Sequence, residues 1–391
     1  MAEKKNQHYV PKFYLRHFSK SGSCISVYNF KSSKVIAQAS IDGQASKKYF
    51  YGRDLFLENR LGELEGQVGS IFADILKRRR LPLRTDDKFR TLCLFMMIQD
   101  SRTTASVSKL NEMANKLGKE MLRRSIKDPE LLAHLPDLQI SMSYPFSMLF
   151  KQSIGMEPIM RDLKLKIIHN VSSVPFIASD HPVVFQNQFY DNISDNRCRG
   201  LASAGLQILL PISPQYMLMF YDDVVYDVGS IATNFVRVPS EEQIEALNGH
   251  QWIGAMGNVF FPEGADTDRL LKMAQKYIPL RKQERVDLTI TSLNDDESQQ
   301  KEVIKISSSI SHVARLSICR PRIKKTTLSD GYFPLRNDFW VASVRQWERA
   351  LMTGQISFDE FWLLTTKVPT VKKRPRANFG RNTTLERRGL L

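Results

Sequence analysis

The sequence predicts an α+β protein: a long helical hairpin packed on a largely antiparallel sheet, with a helical carboxyl-terminal region and a basic tail. Three observations carry this expectation. From Leu57 to Ile75 apolar residues recur at intervals of three and four, the helical period. Between residues 174 and 221 they come instead as short runs bounded by Pro, Ser and Asp, the pattern of buried strands. The stretch 365–391 holds eight Lys and Arg against Glu386 alone.

Composition narrows the class further. A chain of 391 residues, 42% hydrophobic and 25% charged, is neither mostly disordered nor collagen-like nor a disulfide scaffold. No run of about 18 apolar residues occurs, so no membrane span is expected. Residues 1–8 are polar and basic, without the apolar stretch of a secretion signal. Cys24, Cys93, Cys198 and Cys319 are far apart and lack metal-ligand spacing, which suits free thiols in a reducing cytoplasm.

The elements are expected in this order. Strands at 23–30 and 34–37 form a hairpin across Lys31-Ser32-Ser33. A helix over 54–80 stops at Pro82, and Thr85-Asp86-Asp87 caps a second that continues to about residue 124. A further amphipathic helix is expected over 157–169. Strands follow at 174–184, 207–211 and 216–221, and Ser240 with Gln243 opens a helix in capping-box style. Alternating stretches at 287–293 and 301–317 flank a charged turn, and helices close the chain near 338–352 and 357–364. This divides into a core at 1–330, an aromatic-rich helical segment at 331–366 and a flexible basic tail at 367–391.

The net charge of +15 attracts phosphate backbones. Its densest clusters are Lys77-Arg78-Arg79-Arg80 and, in the tail, Lys372, Lys373, Arg374 and Arg376. These are the expected phosphate contacts. The tail has Phe379 as its sole aromatic residue and offers no stacking platform. Phe333, Phe339, Trp340, Trp347, Phe358, Phe361 and Trp362 read mostly as core at helical spacing, with a protein-partner surface as the alternative.

Candidate chemistry is sparse. No His pair has zinc-site spacing, and neither a phosphate-cradling GxxxxGK loop nor a GxSxG elbow occurs. Glu58 and Glu65, seven apart, share a helix face; Gln99 and Arg102, three apart, share another. In a hairpin Glu65 and Arg102 meet, either as a clamp between helices or as part of a polar site. Asp180 ends a strand and either closes a Ser-Asp-x-Pro turn or points at a ligand.

These residues lie in a recognisable series. HYVPKFYLRHF at the amino end, LENRLGELEG, QDSRT, FIASDHPVV and LLPISP resemble, in content and order, the mainly bacterial domain-of-unknown-function family 4238. The resemblance runs to about residue 260. It implies one folded unit in which His8, Tyr9, Glu58, Glu65, Gln99, Arg102, Asp180 and Asn248 converge. At His181 the family more often carries a small polar residue such as Asn, which sets that imidazole aside as an essential catalyst.

An inventory of carboxylates, His, Arg and amides suits metal-assisted phosphodiester hydrolysis. Glu65 and Asp180, with Glu58, are then the ligands of Mg²⁺ or Mn²⁺; His8 is a general base or ligand, and Arg102 neutralises developing charge. The expected function is accordingly nucleic-acid interaction, as a metal-dependent nuclease of a bacterial defence or toxin system. The alternative is a non-catalytic nucleic-acid-binding or protein-interaction subunit of a larger complex. DNA and RNA stay equally open.

Overall fold

The computed structural model describes residues 6–191, 196–230, 232–282, 284, 286–293, 301–308, 312–323 and 334–366. From the amino end, β1 (Asn6–His8) leads into α1 (Lys12–Arg16), the hairpin β2 (Cys24–Asn29) and β3 (Lys34–Ser40), and β4 (Ser46–Lys48), which pairs with β1. A helical stretch follows: α2 (Phe56–Arg78), α3 (Asp87–Ser101), α4 (Thr104–Ser125), α5 (Pro129–His134) and α6 (Pro145–Met160). Then come β5 (Lys164–Asn170), β6 (Ala178–Ser179), β7 (Val184–Gln186), β8 (Gln207–Pro211), β9 (Tyr216–Tyr221), β10 (Tyr226–Val228) and β11 (Phe235–Val238). The chain continues through α7 (Glu241–Gly254), β12 (Asn258–Phe261), α8 (Thr267–Tyr277), β13 (Val286–Leu293), β14 (Lys301–Ser308), β15 (Cys319–Pro321), α9 (Asp338–Met352) and α10 (Phe358–Leu364).

The class is α+β, with a sheet of order β11-β5-β9-β8-β7 at its centre. All its pairs are antiparallel except β11 with β5. The central strands β8 and β9 are buried along their whole length because both faces are covered there. Ile167, Leu210, Leu218 and Phe220 join Phe72 of α2 and Leu92 and Phe95 of α3 in one core. The alternate residues Ile168, Met217, Met219 and Val236 pack with Ile244 and Leu247 of α7 in another. A second sheet, β3-β2-β12-β6, ties the amino-terminal hairpin to the segment around Asp180.

Several expectations change. The helix expected over 157–169 is the last turn of α6 followed by β5: Lys164–Asn170 lies between β11 and β9, and tertiary pairing overrides helical spacing. The helix expected from 87 to 124 breaks at Arg102 and Thr103. The strand expected over 174–184 is confined to β6 and the start of β7, separated by Pro182, which supplies no ladder N–H. The expected strand 301–317 is strand to Ser308 and irregular over 312–316. The turn at 294–299 and the tail 367–391 lie outside the described residues.

The aromatic segment packs onto the helical layer. Trp340, 1% exposed, joins Ile159, Val341 and Val344 and donates from Nε1 to the Pro158 carbonyl at 2.9 Å. Arg336 pairs with Asp162 at 2.7 Å. Arg90 donates to the Trp362 carbonyl at 3.1 Å and Arg161 to that of Thr365 at 2.6 Å, seating α10. Phe339, by contrast, is 74% exposed. Among the described residues no helix is long and apolar enough to cross a membrane. Trp340→Ala should cost about 3–5 kcal/mol, the range for truncating a buried aromatic, read as a lower urea midpoint with unchanged slope.

Candidate functional site

The break between α3 and α4 is made by capping. Arg102 closes α3, and Thr103, in extended conformation, accepts the Ser106 N–H on its Oγ1 at 3.3 Å. This brings the Arg102 guanidinium under the amino-terminal segment, where it is 2% exposed. Its Nη1 donates to Glu65 Oε1 at 2.7 Å, its Nε to the Tyr51 hydroxyl at 3.0 Å and its Nη2 to the His8 carbonyl at 2.6 Å. The expected Glu65–Arg102 meeting is therefore present, between α2 and the end of α3. Burial pushes the Tyr51 hydroxyl up to about 12, against the opposing pull of Arg102.

Neighbouring bonds fix the same segment. Gln99 donates from Nε2 to the Tyr9 carbonyl at 3.0 Å. Gln7 donates to the Gly52 carbonyl at 2.8 Å and accepts the Tyr51 N–H at 2.6 Å. His8 reaches the group through its backbone; its ring bonds the Asp42 carbonyl at 3.1 Å, and burial lowers its basicity. Glu58 is half-buried and its charge acts on Tyr51.

Asp180 and Asn248 have other partners. The Asp180 carboxylate, 1% exposed, accepts the N–H groups of Met256 at 2.7 Å, Gly257 at 2.6 Å and Asn258 at 3.0 Å, so it holds the approach to β12. Burial raises its pKa, and those three amides oppose the rise. It lies close enough to Tyr9 to raise that hydroxyl electrostatically. Asn248 accepts the Ile177 N–H at 3.1 Å and donates to the Pro175 carbonyl at 2.8 Å, clamping α7 to the approach to β6.

His181, set aside from the sequence, is engaged: Nδ1 lies 2.8 Å from Thr103 Oγ1 and Nε2 lies 3.7 Å from Asp100 Oδ1. Burial pushes the Asp100 carboxyl up to about 6. Glu65 is thus committed to a guanidinium and Asp180 to backbone amides. Among the described residues no three His, Cys, Asp or Glu side chains are grouped to hold a metal ion. The donor set does not fit a divalent-ion cage.

A second region lies at the carboxyl end of α2. Helix α2 ends at Arg78, and Arg79 follows at φ 52°, a left-handed conformation more often given to Gly. Beyond that end, three adjacent strands place Arg237 (β11), His169 (β5) and Tyr216 (β9) in one cross-strand row. The His169 and Tyr216 rings stack at 4.9 Å with an interplanar angle of 26°. Arg79 donates to the Tyr216 hydroxyl at 3.2 Å and lies over Phe235 at 5.9 Å. Arg79, His169 and Tyr216, with Asn170, Ser172 and Gln215, line an open groove of about 580 Å³, and the exposed Arg237 stands next to His169 in the strand register.

Burial, Arg79 and Arg237 all lower the basicity of His169, so its ring is a neutral, flat surface near pH 7. Arg78 is paired with Asp74 at 2.9 Å, and Arg80 lines a neighbouring cleft with Asp74, Asp86 and Lys88. Lys372, Lys373, Arg374 and Arg376 lie outside the described residues. The stacked pair escaped sequence reading because its members are far apart along the chain; only strand register unites them.

Two outcomes follow. Arg102→Met leaves the Glu65 carboxylate without its guanidinium partner and the His8 carbonyl with the Tyr51 hydroxyl alone, and should cost about 3–5 kcal/mol in urea unfolding. Glu65→Gln, still able to accept from Arg102, should cost less, about 1–2 kcal/mol. The raised Asp100 carboxyl binds its proton more tightly in the folded state. Its stabilising contribution is present below the unfolded value and is lost as pH rises towards about 6. Subtracting an Asp100→Asn stability profile from wild type should give a difference that falls between about pH 4 and 6 and is flat above.

The motif residues at the amino end, on α2, at the α3–α4 break and around Asp180 all fall inside one stretch with a recognised pattern. No curated protein and no solved structure matches the chain significantly. A family model described as "Protein of unknown function (DUF4238)" matches residues 6–264, and with more than half of its length covered the chain belongs to that family.

Proposed function

We propose that this protein contacts nucleic acid through the basic end of α2 and the groove beside it. The observation that carries the reading is the stacked His169–Tyr216 pair at an open groove, with the Arg79 guanidinium on the Tyr216 hydroxyl and Arg237 beside His169 in the strand register, near enough for its charge to act on that ring. A ring surface beside phosphate-binding cations is the combination that nucleic-acid-binding surfaces use. Lys77 and Arg80 extend the positive charge around the helix end. The Glu65–Arg102 group is read as the clamp that holds the amino-terminal segment in place, because its polar atoms already satisfy one another.

Arg79 gives a clean test, since Gly suits its left-handed backbone better than Arg does. Arg79→Gly should keep the wild-type melting temperature or exceed it, while oligonucleotide affinity falls by about three- to tenfold for the loss of one phosphate contact. The log–log salt dependence of affinity should flatten by about 0.7–0.9 for that lost contact. Unchanged affinity and slope would remove the groove from the reading. Cleavage of the same oligonucleotides on adding Mg²⁺ or Mn²⁺, abolished in Glu65→Gln, would replace the binding reading with a nuclease.

A further inference from the structure

We infer that the Arg237–His169–Tyr216 row takes single strands in preference to duplexes, an unpaired base lying against the His169 imidazole while Arg79 and Arg237 hold its phosphates. This rests on the nucleic-acid reading above and adds the ligand class.

In a duplex the base faces are stacked on one another, so a ring platform has nothing to grip; in a single strand each base offers a free face. Here the platform already exists. His169 is half-buried and held parallel to Tyr216, and Tyr216 meets Phe235 edge-on at 5.9 Å, so the stack stands on the sheet and on the end of α2. A volume of about 580 Å³ suits a nucleotide-sized ligand and falls within the usual range for small-ligand sites.

The polar rim points to weak base preference. Asn170 donates to the Val174 carbonyl at 2.6 Å and accepts from the Ser172 hydroxyl at 2.7 Å, so these groups are turned inward. Ser173 is bonded to Glu241. Stacking with few directed contacts to base edges is tolerant of sequence. Arg79 keeps a left-handed backbone that Gly would adopt more easily, a strain that residues at binding sites often carry.

The test uses the full chain and fluorescence anisotropy with a labelled 20-nucleotide mixed-sequence single strand, the same sequence as a duplex, and heparin as a competing polyanion. The single strand is expected to bind at least about tenfold more tightly than the duplex, consistent with stacking of one or two bases. His169→Ala should erase most of that difference by weakening the single strand about tenfold and leaving the duplex unchanged, whereas His169→Phe, which keeps a ring, should preserve it. Melting temperatures of both variants confirm that the fold is intact.

Equal affinity for the two forms, insensitive to His169→Ala but weakened in Arg79→Gly, would overturn the single-strand inference while leaving the nucleic-acid contact standing. Absence of binding to either form, or binding that heparin abolishes and no groove variant changes, would sink the nucleic-acid reading itself and the inference with it.

Discussion

A guanidinium with 2% exposure sets the conditions that the amino-terminal half has to meet. Removing an Arg side chain from water costs several kcal/mol unless its donors are all answered. Arg102 is answered from three places: Glu65 on α2, Tyr51 on the approach to α2, and the His8 carbonyl at the end of β1. Each constrains a different length of chain, and none is close to Arg102 in sequence. The break between α3 and α4 is what makes the arrangement possible, since an unbroken helix has no cap at Thr103 and no turn at Arg102.

Helix α2 connects this clamp to the groove. Glu65 lies on α2 and Arg79 caps its end, fourteen residues on, about 21 Å along the axis at 1.5 Å per residue. The middle of α2 is therefore fixed by an ion pair to the buried Arg102, and its carboxyl end terminates over the central sheet. Where α2 stops, the cross-strand row that continues past it is left with a groove in place of a helix. The Glu65–Arg102 pair and the Arg79–Tyr216 contact are thus joined by one helix and do not touch.

Much of this was legible in the residues themselves. The three–four spacing from Leu57 to Ile75 located α2 within two residues at each end, and the apolar runs at 207–211 and 216–221 are β8 and β9 as observed. Ser240 caps α7 by accepting the Gln243 N–H, and the pairing of Glu65 with Arg102 followed from helix faces alone. The break at Arg102 was hidden because neither Gly nor Pro marks it. The stretch 164–170 carried apolar spacing compatible with either a helix or a strand, and only its position between β11 and β9 decides for the strand. Gln7 and Tyr51 are ordinary residues in sequence and become structural only because the fold brings them under Arg102. Asp180 departs from the turn reading: its carboxylate takes the amides of Met256, Gly257 and Asn258, far along the chain, while the local turn bond runs from the His181 N–H to Ser179 Oγ. The His169–Tyr216 stack has no sequence signature, because cross-strand partners are set by register.

The proposed division between a clamp that shapes the fold and a groove that would take nucleic acid is open to one direct measurement: hydrogen–deuterium exchange of the full chain with and without a saturating single-stranded oligonucleotide. Slowed exchange confined to residues 77–81, 165–173, 213–217 and 235–238, with 6–10 and 99–104 unchanged, is the expected result. Protection centred on 6–10 and 99–104, with the groove segments unaffected, would contradict it and return the ligand to the side of Glu65 and Arg102.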